Sequence, residues 1–357
     1  MESLKEVSRA SLEQMHALDP AKHDFADKGL FEARKKLAVR LFNQNYLKQE
    51  VETTEEVEVD VLENVNNEIE EFQKRLASEG RVRKTEMLKD ARKIYDIYLK
   101  FLILPIEIEH REKLESEKKN ASGPWPFINH PIIQKLKDSE LLTAEAGKHQ
   151  TGWGNEQEEI KNWYRQEIRT SEALTEYFQK EAESKTLVTD LFKKVIFKNE
   201  MIVSYLETQY LHWPENQPII KSMVLKSLKS LDSDGSFELA ELTKNGKEDF
   251  DFFEEIFDGV MKENEYLDTI IANKAKNWDV DRIALTDRVI LKVALSEMMN
   301  CPSIPMKVSI NEAIEISKQY STPKSKQFIN GVLDVLSNEL TSNGKVRKSG
   351  RGLIDNK

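Results

Sequence analysis

Cysteine is almost absent from this chain of 357 residues. The single one, Cys301, has no partner for an internal disulfide and cannot build a zinc site, which points to a reducing compartment. Glycine and proline are sparse as well, 13 and 10 residues. All-β folds and glycine-rich phosphate loops need more of both, so an all-α protein is the first expectation. Long apolar runs are missing: LKFLILPI at 99–106 is far shorter than the roughly 20 residues that span a bilayer. The opening MESLKEVSRASLEQMHALD has no apolar core behind basic residues and does not read as a signal peptide. His16, His23, His110, His130, His149 and His212 form neither an HExxH motif nor a close pair, and GWGNE at 152–156 lacks the strand–turn–helix setting of a dinucleotide fingerprint. These absences predict a cytoplasmic protein that is not an enzyme, with no cofactor, no metal and no membrane association.

What is present is charge and helical periodicity. Hydrophobic residues make up 39% and charged residues 32% of the chain, enough for a core under a strongly charged surface. The net charge is −10, but nucleic-acid binding depends on local patches rather than on the total. Much of the negative charge lies in EVETTEEVEVDVLENVNNEIEE at 50–71, while 33–40 and 345–351 are basic.

The pattern divides the chain into five parts. Residues 1–28 read as a polar extension with one short helix. Residues 29–120 read as N-terminal helices, the first of them basic, with Leu30, Ala33, Leu37, Leu41 and Asn45 on one side and Arg34, Lys36 and Arg40 off that stripe. A charged helical stretch follows at 55–80, then a helix at 85–118 that Pro105 should kink or interrupt. Residues 121–247 read as a helical middle region, entered through the break NASGPWPFINHP at 120–131 and containing a second loop at 146–156. Helices are expected at about 131–142, 156–183, 184–211 and 217–231, with a polar loop at 232–247. That loop contains SLDSDGSFELAE at 230–241, which matches a calcium loop at Asp232, Asp234, Gly235 and Glu241. Ser230 stands where the first anionic ligand belongs, so a polar inter-helix loop is the better reading. Residues 248–342 read as a C-terminal bundle and 343–357 as a flexible basic tail.

The C-terminal bundle carries the clearest signals. After a helix at 248–274, Asp287–Met299 places Ile290, Leu291, Ala294, Leu295 and Met298 on one apolar face. Ser309 with Glu312 reads as a capping box for a helix Ile310–Tyr320. Thr322 and Pro323 read as the cap and first residue of the last helix, which lines up Phe328, Val332, Leu336 and Leu340. Gly331 inside it costs roughly 1 kcal/mol against alanine, which a close helix crossing would explain. Asn343-Gly344 reads as a left-handed helix end.

Three blocks in this order resemble the NusB family of transcription antitermination factors. They are Asp287, Arg288, Ile290, Leu291, Lys292, Ala294 and Glu297; then Val308 to Lys318 (VSINEAIEISK); then Phe328 to Asp334 (FINGVLD). They occupy roughly the last quarter of the chain. ARKKLAVRLF at 33–42 is loosely similar to the family's first helix, with lysines in place of some arginines, and a lysine lacks the bidentate fork. The chain is more than twice the usual family length and is similar in style to long Bacteroidetes-type members.

The resemblance implies a NusB-like helical bundle of two small subdomains with a long helical insertion. It implies binding of boxA-type single-stranded RNA together with the ribosomal protein NusE, within an RNA polymerase antitermination complex that reads through terminators, notably on ribosomal RNA operons. The implied RNA-binding residues are Arg34, Lys35, Lys36 and Arg40 on the first helix, with Arg288, Tyr320, Ser325, Lys326 and Gln327 around the start of the last one. Arg288 reads equally well as an ion-pair partner of Asp287 or Glu297, Phe328 reads as core, and Glu297, Asn311 and Asn330 as caps or buried hydrogen-bonding groups. Two other functions fit the same pattern. An RNA cytosine methyltransferase can carry such a domain, but needs a following α/β domain with a glycine-rich loop. A helical protein-interaction scaffold would use the basic residues only as a solvated surface.

Overall fold

The computed structural model describes residues 2–15, 28–46, 59–118, 121–179, 184–231, 237–274 and 283–353, and the regular structure among them is helical throughout. The expected all-α class holds. The chain divides into two compact units, one made of Met1–Glu86 with Phe250–Lys357 and the other of Met87–Asp249.

The first unit begins with α1 (Glu2–Met15), α2 (Lys28–Tyr46) and the N-terminal part of α3 (Val59–Ser116). Leu12, Ala38, Leu41, Phe42, Val61, Val65 and Phe72 form their shared core, with the Phe42 and Phe72 rings edge-on at 5.7 Å. The N-terminal segment is therefore more than a polar extension. Ser8 is fully buried and accepts a 2.7 Å hydrogen bond from Arg75, whose guanidinium also pairs with the buried Glu68; Ser11 donates to Glu68 at 2.9 Å.

Helix α3 is one element of 58 residues where the periodicity suggests two. The stretch 81–84 carries no helix breaker, and Arg83 ties the turns on either side through Glu79 and Glu86. Pro105 does not end the helix either. Its missing donor and ring clash cost about 3 kcal/mol, which the complete burial of Phe101, Leu102, Leu104 and Ile108 around it offsets.

The C-terminal part of the first unit contains α11 (Lys247–Lys274), α12 (Leu285–Asn300), α13 (Met306–Tyr320) and α14 (Ser325–Ser342). Leu267, Ile271, Leu291, Leu295, Met298, Ile329, Leu333 and Leu336 fill its core. The expected face Phe328–Val332–Leu336–Leu340 is buried. Three local expectations are corrected. Helix α13 starts one turn early, behind Pro305, so Ser309 lies inside it; buried, it donates to Glu297 at 2.5 Å instead of capping. Helix α14 starts at Ser325 rather than Pro323. Gly331 has no atom within 4 Å of where a Cβ would stand, so it marks no crossing. The close approach is at Gly259 of α11, where a Cβ would lie 2.4 Å from Ser296 Oγ and 2.8 Å from Asn300 Nδ2.

Helix α14 ends at Asn343, with Gly344 at φ 68° as expected. From Asn343 to Leu353 the chain is packed, in place of the expected flexible tail; residues 354–357 lie outside the described residues. Val346 joins the bundle core, and Ser349 donates its amide to Pro302 at 3.0 Å. Gly352 sits so close to the Pro302 carbonyl that a Cβ would come within 2.1 Å of it.

Among the described residues, the second unit contains the C-terminal part of α3 and seven shorter helices: α4 (Pro131–Lys137), α5 (Glu140–Lys148), α6 (Gln157–Trp163), α7 (Glu172–Gln179), α8 (Ser184–Asp190), α9 (Glu200–Gln209) and α10 (Trp213–Ser230). The helices read at 156–183 and 184–211 are each interrupted by wider π turns, at Tyr164–Ile168 and Leu191–Ile196. The core is aromatic. Phe101 has Trp153, Phe197 and Trp213 within 5.2–5.8 Å, and Trp153 meets Trp163 edge-on. Two buried glutamates of α3 hold the proline-rich segment before α4. Glu112 accepts the amides of Phe127 (2.7 Å) and Ile128 (2.9 Å) and the hydroxyl of Tyr164 (3.1 Å). Glu109 accepts from Asn129, Gln134 and Lys137 and pairs with Lys113. Their environments separate them. Burial outweighs the hydrogen bonds at Glu112 and pushes it up to about 7, whereas the lysines and donors around Glu109 overcome its burial and hold it down at about 2.

Candidate nucleic-acid interface

The two groups of residues that the sequence singles out lie on two helical clusters of the first unit. On α2 the buried positions are Arg34, Ala38, Leu41 and Phe42, spaced i, i+4, i+7 and i+8, while Ala33 is exposed. The apolar stripe is thus rotated by one residue from the one expected, because the register that buries Phe42 against Phe72 turns position 34 inward. Arg34 is 8% exposed, and an arginine stem packs well in such a position. Lys35 is half-buried, and Lys36 and Arg40 face outward. The side chains of Leu30 and Asn45 lie outside the described residues.

The second group surrounds the joint between α13 and α14. Asp287, in the first turn of α12, is 5% exposed. Its carboxylate accepts hydrogen bonds from Ser321 (2.5 Å) and Ser325 (2.8 Å), and Ser325 is in turn within 2.8–2.9 Å of Thr322 and Ser321. A buried charge is tolerated only when its lone pairs are met in this way. The cluster holds three helix ends together and fixes the path of the joint. Ser325 is therefore a buried structural donor, not a surface contact. The amides of Ser325 and Gln327 already donate to Thr322 and Lys324 at 2.9 and 3.2 Å, so they are not open to a phosphate. Tyr320 stays half exposed, and Lys326 and Gln327 are exposed around it.

Arg288 turns toward α11, with Nε 4.0 Å from Asp268 rather than paired with Asp287 or Glu297. Its neighbour Lys292 is buried and donates to Asn264 (2.7 Å) and Asp268 (2.8 Å). Phe328 is core, as expected, and Glu297 is a hydrogen-bond acceptor for Ser309; Asn311 and Asn330 are exposed rather than buried. Sequence reasoning missed Asp287 as the organiser of the joint. The available signal was three hydroxyl residues, Ser321, Thr322 and Ser325, within five positions of an interhelical turn.

Among the described residues no group of three or more His, Cys, Asp or Glu could hold a metal ion, and no helix is long and apolar enough to cross a membrane. Asp232, Asp234 and Gly235 of the calcium-like loop lie outside the described residues; Ser230 accepts the Glu238 amide at 3.1 Å.

Residues 220–338 match the model of the NusB family. Over 105 residues the chain is 48% identical to the transcription antitermination protein NusB of Chloroherpeton thalassium, covering 29% of this chain and 50% of that relative. Over 104 residues it is 46% identical to the protein of the same name from Salinibacter ruber, covering 29% of this chain and 65% of that relative. The chain thus spans between half and two thirds of the length of these curated relatives. No solved structure matches. The match takes in all of α11 to α14 apart from the last residues, including Asp287 and the joint it holds.

Proposed function

We propose that the chain is a transcription antitermination factor that binds boxA-type RNA together with the ribosomal protein NusE and promotes read-through, notably of ribosomal RNA operons. The observation that carries this reading is the identity of 46–48% with proteins named as transcription antitermination protein NusB, over the region containing the Asp287-held joint. In this reading the protein is a binding factor without a catalytic step. Lys36 and Arg40 meet phosphates, which supply affinity and salt dependence. Tyr320 offers a ring on which an unstacked base gains about 1–3 kcal/mol, with Lys326 and Gln327 beside it. Arg34 and Ser325 act from within, by setting the helix register and the joint. Arg288 and Lys35 lie at the margin.

The test is fluorescence anisotropy with a boxA-type RNA and a scrambled control, with and without NusE, across a salt series. Sequence-preferring binding that tightens with the partner is expected. K36A/R40A weakens RNA binding and flattens its salt slope with the fold unchanged. The second reading, a helical interaction scaffold without RNA specificity, draws on the exposed apolar residues Leu285 and Val289 of α12 and Ile316 of α13; equal binding of both RNAs with and without NusE selects it.

A further inference from the structure

The packed segment after α14 carries a cluster of cations. Between positions 340 and 354 there is no Asp or Glu, but there are Lys345, Arg347, Lys348 and Arg351. Only Lys348 is turned inward; it donates to the Cys301 carbonyl at 3.0 Å, and burial lowers its ammonium below the usual lysine range. Lys345, Arg347 and Arg351 are exposed. Exposed cations elsewhere in the chain commonly have a carboxylate one helical turn away, as in Lys93–Asp90, Lys318–Glu315 and Arg83–Glu79. These three have no carboxylate partner among the described residues. Lys345 instead lies over the ring of Tyr266, a partly exposed aromatic of α11, at 5.5 Å, and Arg347 donates only to the Gly344 carbonyl at the helix end.

The loop that presents them is held in place. Val346 is buried in the bundle core, the Ser349 amide is bonded to Pro302, and Gly352 is seated against the Pro302 carbonyl. The left-handed turns at Gly344 (φ 68°) and Gly350 (φ 54°) shape it. Little ordering entropy is left to lose when it binds, unlike a disordered basic tail. Guanidinium forks suit phosphate oxygens, and a ring beside cations is the combination that holds single-stranded nucleic acid without sequence preference.

We propose that Lys345, Arg347 and Arg351, with Tyr266, form a second contact for the phosphate backbone of single-stranded RNA. This rests on the reading of the chain as an RNA-binding factor. Helix α14, with 18 residues, is about 27 Å long and separates this loop from the α13–α14 joint. The second contact therefore engages RNA flanking a recognised element, not the element itself.

The experiment compares the full chain with K345Q/R347Q/R351Q, using a boxA-type 12-mer, the same RNA extended by about 15 nucleotides of mixed sequence on each side, and anionic phospholipid vesicles. The extended RNA binds the unaltered protein more tightly than the 12-mer. The variant loses that advantage at 50 mM salt, and its salt slope on the extended RNA falls by about 2 for the three lost phosphate contacts, so the gap between the two proteins narrows by about 15-fold by 200 mM salt; binding of the 12-mer is unchanged. If the 12-mer binds but the extension and the triple substitution change nothing, the second contact is wrong and the proposed function stands. If the 12-mer fails and the long RNA binds through these cations, the second contact stands alone. Vesicle binding lost in the variant, with RNA binding unaltered, makes the surface a membrane contact and overturns the proposal. The three side chains are exposed, so an unchanged melting temperature checks that the fold is intact.

Discussion

The C-terminal bundle and the middle unit are both helical, but they are held together by different means. Helices α11 to α14 interlock through Leu, Ile, Val and Ala, with the buried carboxylate of Asp287 satisfied by hydroxyls. The middle unit packs large rings around Phe101 and buries the carboxylates Glu109 and Glu112 against backbone and lysine donors. Aliphatic helix faces give a strong 3.6-residue period and tolerate similar-sized replacements. A ring cluster fed from short helices and wide π turns gives almost no period and depends on a few individual side chains.

The largest expected effect follows from that dependence. Phe101→Ala removes the ring at the centre of the aromatic cluster and should destabilise the middle unit by about 3–5 kcal/mol. Urea unfolding followed by tryptophan emission reads it, since Trp125, Trp153, Trp163 and Trp213 all belong to that unit. An unshifted midpoint would mean that the rings do not carry the unit.

The next effect separates the two glutamates by pH. Glu112 has a raised value of about 7 against an ordinary 4.5, so the native state binds the extra proton in that window and stability declines as pH rises from 4.5 to 7. Glu109, held at about 2, stabilises above 4.5 and loses that contribution as pH falls toward 2. Glu112→Gln should flatten the upper window, worth up to about 3 kcal/mol, and leave the acid limb in place. A stability profile between pH 4 and 8 identical to that of the unaltered protein would refute the assignment.

The smallest effects contrast two glycines of the C-terminal bundle. Gly259→Ala forces a Cβ against Ser296 and Asn300 and should cost about 1–3 kcal/mol. Gly331→Ala meets nothing and should stabilise by up to about 1 kcal/mol. Thermal melts of the two variants are expected to move in opposite directions; a loss of stability in Gly331→Ala would restore the crossing that its sequence position suggests.

This contrast also shows where the sequence is legible. The faces of α12 and α14 can be read because Ile290–Met298 and Phe328–Leu340 repeat at helical spacing over several turns. Residue-level roles are less legible, since they depend on what stands opposite. Gly331 and Gly259 look alike in one dimension, and only the neighbouring helix distinguishes them. Arg34 reads as a surface cation until the burial of Phe42 fixes the register of α2. Ser309 has the partners of a capping box, but Pro305 starts the helix earlier and the serine meets Glu297 instead. At the candidate interface, Lys36, Arg40, Tyr320, Lys326 and Gln327 emerge as exposed side chains, whereas Ser325 and Asp287 are tied together by a contact spanning 38 residues, beyond the reach of any local pattern.

The first unit is built from both ends of the chain, Met1–Glu86 and Phe250–Lys357, with the whole of Met87–Asp249 between them. During synthesis, α1, α2 and the start of α3 emerge with Gly80 and Lys84 still waiting for Met261 and Asp258 of α11. At 5–20 residues per second the wait is on the order of ten seconds or more, long enough for the aromatic unit to close first. The ribosome thus delivers α11 to α14, the helices that match the NusB family model, only after α1 to α10 have had time to fold.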